Sequence, residues 1–312
     1  MRLLSLLLAL FPAATGWAGS DPLWARLARE SAAARPFEIT LGLRQYQRQV
    51  WLDSQMLPEL MPGLYGDAKA VKGFAFEAAM LWQPSSRQLF ELAVPYSFQE
   101  FSVIRSGYSP PASLDDPDVQ RGDGLGDCRL GWRFSWLQSL HFTGGLNLEF
   151  SLPTGLGPMS AQDFRVATGA GSFYFSPALE LQARTEDWSL WVQGRSSLDF
   201  GAELDLSGRH VFARRDPGVE VNAGLGWVWA RDEGYRHTLE LEMSKRWIGA
   251  MVVDQAAIPD SGETSLDLVP QAHFTFGPRF GVVMGWQLPL WLATNQAVAW
   301  WGEPQLRADF TL

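Results

Sequence analysis

The sequence has very little cysteine and no excess of basic residues. A single cysteine, Cys128, occurs among 312 residues. It excludes an intramolecular disulfide and any metal site built from several cysteines. The formal net charge is −9, so the chain lacks a basic surface for phosphates, and nucleic acid is not expected as a partner. The residue pattern implies no cofactor.

Long apolar runs are also scarce. One run, from Leu3 to Phe11, follows Arg2 and precedes the small residues Gly16 and Ala18. This arrangement predicts a signal peptide over residues 1–18, because the run is too short to span about 30 Å of hydrocarbon. No later stretch reaches the roughly 20 apolar residues of a membrane-spanning helix. The exported chain is therefore expected to cross a membrane only as a barrel.

Aromatic residues are abundant, with 15 Trp and 19 Phe, although the mean hydropathy is only −0.08. A strict alternation of side chains explains this combination, and it is clearest after the glycine-rich stretch at 122–126. The apolar positions there are Cys128, Leu130, Trp132, Phe134 and Trp136, and between them lie Arg129, Gly131, Arg133 and Ser135. Side chains of a strand point alternately to its two faces. Three bulky aromatics in succession would crowd a soluble core, so the pattern favours a strand with one lipid face.

About twelve segments of roughly ten residues alternate in this way between Phe37 and Leu312, which is the length of a tilted membrane strand. Short and long connections alternate between them. The short ones are 84–86, 137–139, 185–187, 231–235 and 277–278, and the long ones are 52–69, 99–125, 153–170, 200–216, 248–264 and 290–302. Outer-membrane barrels have short periplasmic turns and long loops on the other side. The sequence therefore predicts an all-β fold, a transmembrane antiparallel β-barrel of about 12 strands over residues 36–312.

Residues 19–35 come before the first strand. Leu23, Trp24 and Leu27 share one face of a short amphipathic pattern, which predicts an N-terminal helix. This segment is expected to be either a periplasmic leader or a plug in the mouth of the barrel.

Charged side chains concentrate at the positions that alternation turns away from the apolar face. The predicted lumen-lining residues are Arg44, Glu77, Glu91, Arg129, Arg133, Glu149, Glu180, Arg195, Glu240, Glu242, Arg246, His273 and Arg307. Both signs of charge are mixed in this set. A narrow interior held together by ion pairs is expected, because an ion-selective porin would have a lining of one sign.

Other chemistry is possible at a few positions. His273 faces the interior, as do Ser244 and Asn147, and such a set is the minimum for an esterase or phospholipase in the barrel. The acidic residues of the loop 115–127 are either solvated or hold Ca²⁺. A third alternative is a closed structural barrel whose long loops bind a partner.

Three short motifs occur in a fixed order: LAVPY at 92–96, GLGD at 124–127 leading into LGWRF, and LPTG at 152–155. This succession resembles the outer-membrane family named for the meta-pathway of phenol degradation, over about residues 88–157. The resemblance implies a Gram-negative outer-membrane channel, not an enzyme, for passive uptake of small hydrophobic or aromatic molecules. It carries over no binding residue, because the shared motifs are architectural.

The expected partners are outer-membrane lipid, a small-molecule solute and the barrel assembly machinery. The last of these is expected because Phe310, Thr311 and Leu312 resemble the C-terminal strand signal that this machinery reads, although that signal usually ends on an aromatic residue.

Overall fold

The computed structural model describes residues 37–48, 67–104, 118–155, 171–206, 209–232, 235–257, 262–277, 279–293 and 303–311. Residues 1–36 lie outside this set, so the signal peptide and the helix or plug at 19–35 stay predictions. Ion conductance with and without residues 19–35 would distinguish a plug from a leader. Within the described residues, no helix is long and apolar enough to cross a membrane.

Seventeen strands make up almost all of the described residues. They are β1 (Phe37–Arg48), β2 (Asp67–Ser85), β3 (Gln88–Ile104), β4 (Asp118–Leu125), β5 (Cys128–Gln138), β6 (Phe142–Leu152), β7 (Tyr174–Arg184), β8 (Trp188–Asp199), β9 (Ala202–Leu206), β10 (Arg209–Arg215), β11 (Gly218–Asp232), β12 (Tyr235–Ile248), β13 (Met251–Val253), β14 (Ala256–Ala257), β15 (Glu263–Phe276), β16 (Phe280–Ala293) and β17 (Glu303–Thr311).

The barrel wall is a closed antiparallel sheet with twelve strand positions, one of which is shared by β4 and β5. Each wall strand pairs with the next one along the chain, and β17 pairs with β1 to close the barrel. β4 pairs with the later residues of β3 and β5 with its earlier residues, so the two act as one wall strand. The wall is then β1, β2, β3, β4 with β5, β6, β7, β8, β11, β12, β15, β16 and β17. The predicted fold class and strand number are confirmed.

The two faces of the wall have opposite character. Outward apolar residues each expose roughly half of their own surface, as in Leu41, Phe76, Leu190, Leu241 and Met284. On the inward face, polar side chains such as Gln193 and His273 are 0% and 1% exposed. This distribution is the reverse of that in a water-soluble protein, where large apolar side chains are mostly buried. The exposed apolar belt is therefore the lipid-facing surface of a membrane barrel.

Several stretches predicted as long loops contain strands. β3 continues to Ile104 and pairs with β4 inside the predicted loop 99–125, so Gly122 and Gly124 belong to a strand end. Similarly, 200–216 holds β9 and β10, and 248–264 holds β13 and β14. β4 lacks apolar alternation, because main-chain pairing beyond the membrane does not require a lipid face, and β9 alternates over only five residues.

Strands β9, β10, β13 and β14 form a small sheet at the end of the barrel opposite the short turns. Its base is held by Asp199, whose carboxylate accepts hydrogen bonds from the amides of Gly201 and Arg215, both at 2.8 Å. Gly201 has a φ of +82°, which favours glycine. At the tip, Asp254 and Gln255 have φ of 47° and 69°, as in a two-residue type I′ hairpin turn. The small sheet therefore extends the wall beyond the membrane.

We expect Leu241→Arg to destabilise the folded barrel by about 2–4 kcal/mol, because Leu241 lies in the middle of β12 and faces lipid. Val219→Arg near the membrane boundary is the control and should cost about 0–1 kcal/mol. Urea titration in lipid vesicles, followed by the mobility of unheated protein on SDS gels, measures both. Equal losses at the two positions would contradict the assignment of the lipid-facing belt.

Candidate functional site

The register places the predicted interior residues on the face away from the apolar belt. Arg44 and Arg307 are direct partners where β1 meets β17, although their side chains lie outside the described set. Half-buried side chains occur at Glu77, Glu91, Arg129, Arg133, Glu149, Glu180, Glu242 and Arg246, and buried ones at Arg195, Glu240 and His273. That these residues contact a solute stays a prediction.

A buried chain of three side chains crosses four neighbouring strands. The indole Nε1 of Trp191 on β8 donates a hydrogen bond to Oε1 of Glu240 on β12, at 3.0 Å. The other oxygen, Oε2, lies 3.6 Å from Nε2 of His273 on β15. All three residues are at most 5% exposed. Because β11 lies between β8 and β12, the indole has to cross a complete strand.

Gly224 on β11 is what permits this crossing. It pairs with Trp191 on one side and with Glu242 on the other. A Cβ at position 224 would stand 2.5 Å from both Cε2 and Nε1 of the indole, which is closer than real Cβ contacts. The indole therefore lies directly over the glycine.

An ion pair between β5 and β2 is arranged in the same way. The guanidinium of Arg129 donates to a carboxylate oxygen of Glu77, and these two residues lie two strands apart. The strand between them, β3, places Ala93 beside Arg129, and Ala93 is 0% exposed. A small side chain on the middle strand again gives a long one room to reach the second strand.

The third cluster alternates in charge around the wall. Glu220 on β11 is the register partner of Arg195 on β8 and of Arg246 on β12. Arg246 Nη2 lies 4.0 Å from a carboxylate oxygen of Asp267 on β15. Asn222 and Ser244 donate to Glu220 at 3.1 and 3.4 Å. Two acids and two arginines thus balance, as buried charges require.

The three sequence motifs meet in space. Gly126 N donates to the carbonyl of Pro95 at 2.8 Å, and the hydroxyl of Thr154 donates to the carbonyl of Gly126 at 3.0 Å. The amide of Cys128 donates to the same hydroxyl at 2.8 Å.

The amide of Gly155 completes this junction by donating to Asp127 Oδ1 at 3.0 Å. Asp127 thereby caps the connection that follows β6. Gly124, just before this junction, has a positive φ of +152°. The bonds join β3, β4, β5 and the end of β6, which agrees with the architectural role predicted for the motifs.

The interior does not bring the proposed hydrolase residues together. His273 pairs with Thr238, and Ser244 lies six residues further along β12, about 20 Å away at the rise of a strand. Ser244 bonds Glu220, and Asn147 is on β6, outside the group of strands that carries the Trp191 chain. Among the described residues no group of three or more His, Cys, Asp or Glu is placed to hold a metal ion.

The acidic loop 115–127 is described only from Asp118 onward. There, the carboxylate of Asp123 accepts a hydrogen bond from the Tyr96 hydroxyl at 3.2 Å. Asp115 and Asp116 lie outside the described residues, so a cation at this loop stays a prediction.

Sequence reasoning missed the apolar residues that face inward. Trp191, Leu81, Val269 and Val283 are buried on the interior face, at 3–7% exposure. The alternation itself could have identified Trp191. The outward residues of β8 have even numbers, so a tryptophan at an odd-numbered position must point inward.

No protein-family model matches the chain, and no curated protein sequence does either. An outer-membrane channel from Pseudomonas putida F1 matches with a TM-score of 0.65 at 15% identity, over 90% of this chain and 98% of that one. This chain has the fold of an outer-membrane β-barrel. The deltaS2 mutant of the TodX monoaromatic hydrocarbon channel gives 0.49 at 11% identity over 91% of both chains. The KdgM porin gives 0.43 at 8% identity over 87% and 98%. At these sequence identities the similarity concerns only the fold. Of these three structures, the Pseudomonas putida channel supports it, with a TM-score above 0.5.

We expect Gly224→Ala to cost about 1–3 kcal/mol of stability, because the new methyl group displaces the Trp191 indole from Glu240. The matched control is Gly194→Ala, whose Cβ would meet nothing within 4 Å and should change stability by less than about 0.5 kcal/mol. Urea midpoints of the two variants in the same vesicles provide the comparison. An unchanged midpoint for Gly224→Ala would contradict the described crossing.

Proposed function

We propose that the protein is an outer-membrane channel for passive uptake of small hydrophobic or aromatic molecules. The observation that carries this proposal is the closed wall of twelve strands with a lipid-facing belt and a charge-paired interior. The fold shared with an outer-membrane channel supports the same reading. The signal peptide predicted at 1–18 and the short turns at one end support an outer-membrane location and assembly by the barrel machinery.

The charges of the interior favour an uncharged solute over an ion. Its acids and arginines neutralise one another in pairs, as in Glu77 with Arg129 and Arg246 with Asp267. A lining of this kind offers no field of one sign to select anions or cations.

The substrate class rests on the three sequence motifs at 92–96, 124–127 and 152–155, which resemble those of the phenol-degradation family and favour aromatic molecules. The apolar side chains inside the barrel, such as Leu81, Ala93 and Val283, are 0–7% exposed, so they pack the interior and do not bear on the solute. The channel role does not depend on the substrate class.

We expect Gram-negative cells that produce the protein to take up the apolar dye phenylnaphthylamine severalfold faster than cells without it. Periplasmic hydrolysis of a polar β-lactam by these cells should change little. The reason is that the paired interior offers no wide aqueous path. Faster entry of the polar compound alone would indicate a general porin, and no change in either would indicate a closed structural barrel.

An apolar solute gains little from crossing the charged interior. A lateral exit, in which the solute passes through the wall into the lipid, is therefore the route that fits this interior best. The wall has two interruptions of one kind suited to this, one between β15 and β16 at Pro270 and one between β7 and β8. Strands β7 and β8 pair at Phe175 with Leu198 and next at Ala178 with Arg195, so Ser176 and Pro177 pair with β6 but not with β8. Pro177 has no N–H to donate, so a ladder bond is missing there. We propose that solute leaves the barrel for the lipid at this seam.

A disulfide across the seam tests this route. Ser176→Cys with Ser197→Cys, made together with Cys128→Ala, places two thiols at facing positions of the unchanged register. Facing residues of an antiparallel pair are about 4.5–5.5 Å apart, within the range of a disulfide. We expect oxidation to slow dye uptake severalfold and reduction to restore it. Equal uptake by both forms would contradict a lateral exit here and leave the channel role intact.

A further inference from the structure

One outward-pointing side chain does not fit the lipid-facing belt. Among the barrel-strand residues whose side chains the structure describes, and away from the turns, two outward-pointing side chains are charged: Asp123 and Lys245. Asp123 is bonded by the Tyr96 hydroxyl. Lys245 is exposed, and its register partners on both sides, Val221 and Leu266, are apolar. The lysine is thus a single positive charge within an apolar surface.

The level of Lys245 along β12 is well defined. It lies ten residues after Tyr235, where β12 leaves a short turn, and three residues before Ile248, where β12 ends. In the proposed orientation this is the outer-leaflet side. Trp247 follows it on the same face, and Trp291 lies in the same row two strands away. Exposed tryptophans at this level mark the boundary between hydrocarbon and headgroups.

The position of the ammonium group is also defined. Lys245 Nζ lies 4.6 Å from the centroid of the Trp247 ring, within the range of a cation–π contact. This contact draws the ammonium toward the boundary rather than into the hydrocarbon. A lysine in a lipid-facing strand is costly at the membrane centre and tolerated near the interface, where its long side chain reaches the headgroups.

The charge of Lys245 is therefore available to an anion from the lipid side. No carboxylate among the described residues lies within ion-pair distance of it, and its outward neighbours are apolar or aromatic. The outer leaflet of a Gram-negative membrane is built from a phosphorylated glycolipid. We propose that Lys245 and Trp247 form a binding site for a phosphate of this glycolipid headgroup. The site rests on the proposed membrane orientation and on the charge complementarity of the two groups.

The test uses the full mature protein in detergent, titrated with diphosphorylated lipid A and observed by native mass spectrometry. One phosphate contact near a membrane surface contributes about 1 kcal/mol per lysine, so Lys245→Gln should bind about fivefold more weakly. The control is Arg214→Gln, which removes the same charge from an exposed residue of β10 that is paired with Asp216 at 3.6 Å. Its affinity should match that of the unchanged protein.

Dephosphorylated lipid A separates the phosphate contact from general lipid binding. It should bind the unchanged protein about as weakly as the phosphorylated form binds Lys245→Gln. Equal affinity of Lys245→Gln and the unchanged protein for the phosphorylated lipid would overturn the site, as would an equal loss in Arg214→Gln. Dye uptake by cells producing Lys245→Gln keeps the two proposals apart. Normal uptake with unchanged lipid affinity refutes the lipid site alone, and absent uptake by the unchanged protein refutes the channel.

Discussion

The structure depends on the need of every main-chain N–H and C=O to find a partner where no water is available. A sheet meets that need in lipid only if it has no edges, so β17 must return to β1. Closure then determines the two faces, because successive side chains must point alternately to lipid and to the interior. The apolar belt and the charged lining are two results of this single constraint.

The charged side chains of the interior also need partners, and the main-chain hydrogen bonds between strands do not supply them. Charges removed from water are stable only when paired, and neighbouring wall strands do not always supply opposite signs at the same level. Arg129 and Glu77 are two strands apart, as are Trp191 and Glu240. Ala93 and Gly224 on the strands between them leave enough space for the longer side chains to cross. Small residues on the inward face therefore make these ion pairs and hydrogen bonds of the interior possible.

The architecture could be predicted from the sequence because lipid imposes alternation on every wall strand. The site could not be predicted to the same depth. Alternation assigns Trp191 or Glu240 to the inward face, but contacts between them depend on register, and register depends on pairing across the whole sheet. The strands in 99–125 and 200–216 were missed for a related reason. Beyond the membrane the ladder continues without a lipid face, so the pattern that identifies a strand is absent in β4 and covers only five residues in β9.

The positions where the wall departs from regularity carry more information about function than its lining does. The three motifs meet at one junction, where Pro95 lies opposite the break between β4 and β5 and where Thr154 and Asp127 replace the missing ladder bonds. Pro177 between β7 and β8 and Pro270 between β15 and β16 interrupt the ladder in the same way. A barrel for polar solutes has no need of a weak point in its wall. A barrel that releases apolar solutes into lipid does need one, and the breaks at Pro177 and Pro270 fit that requirement.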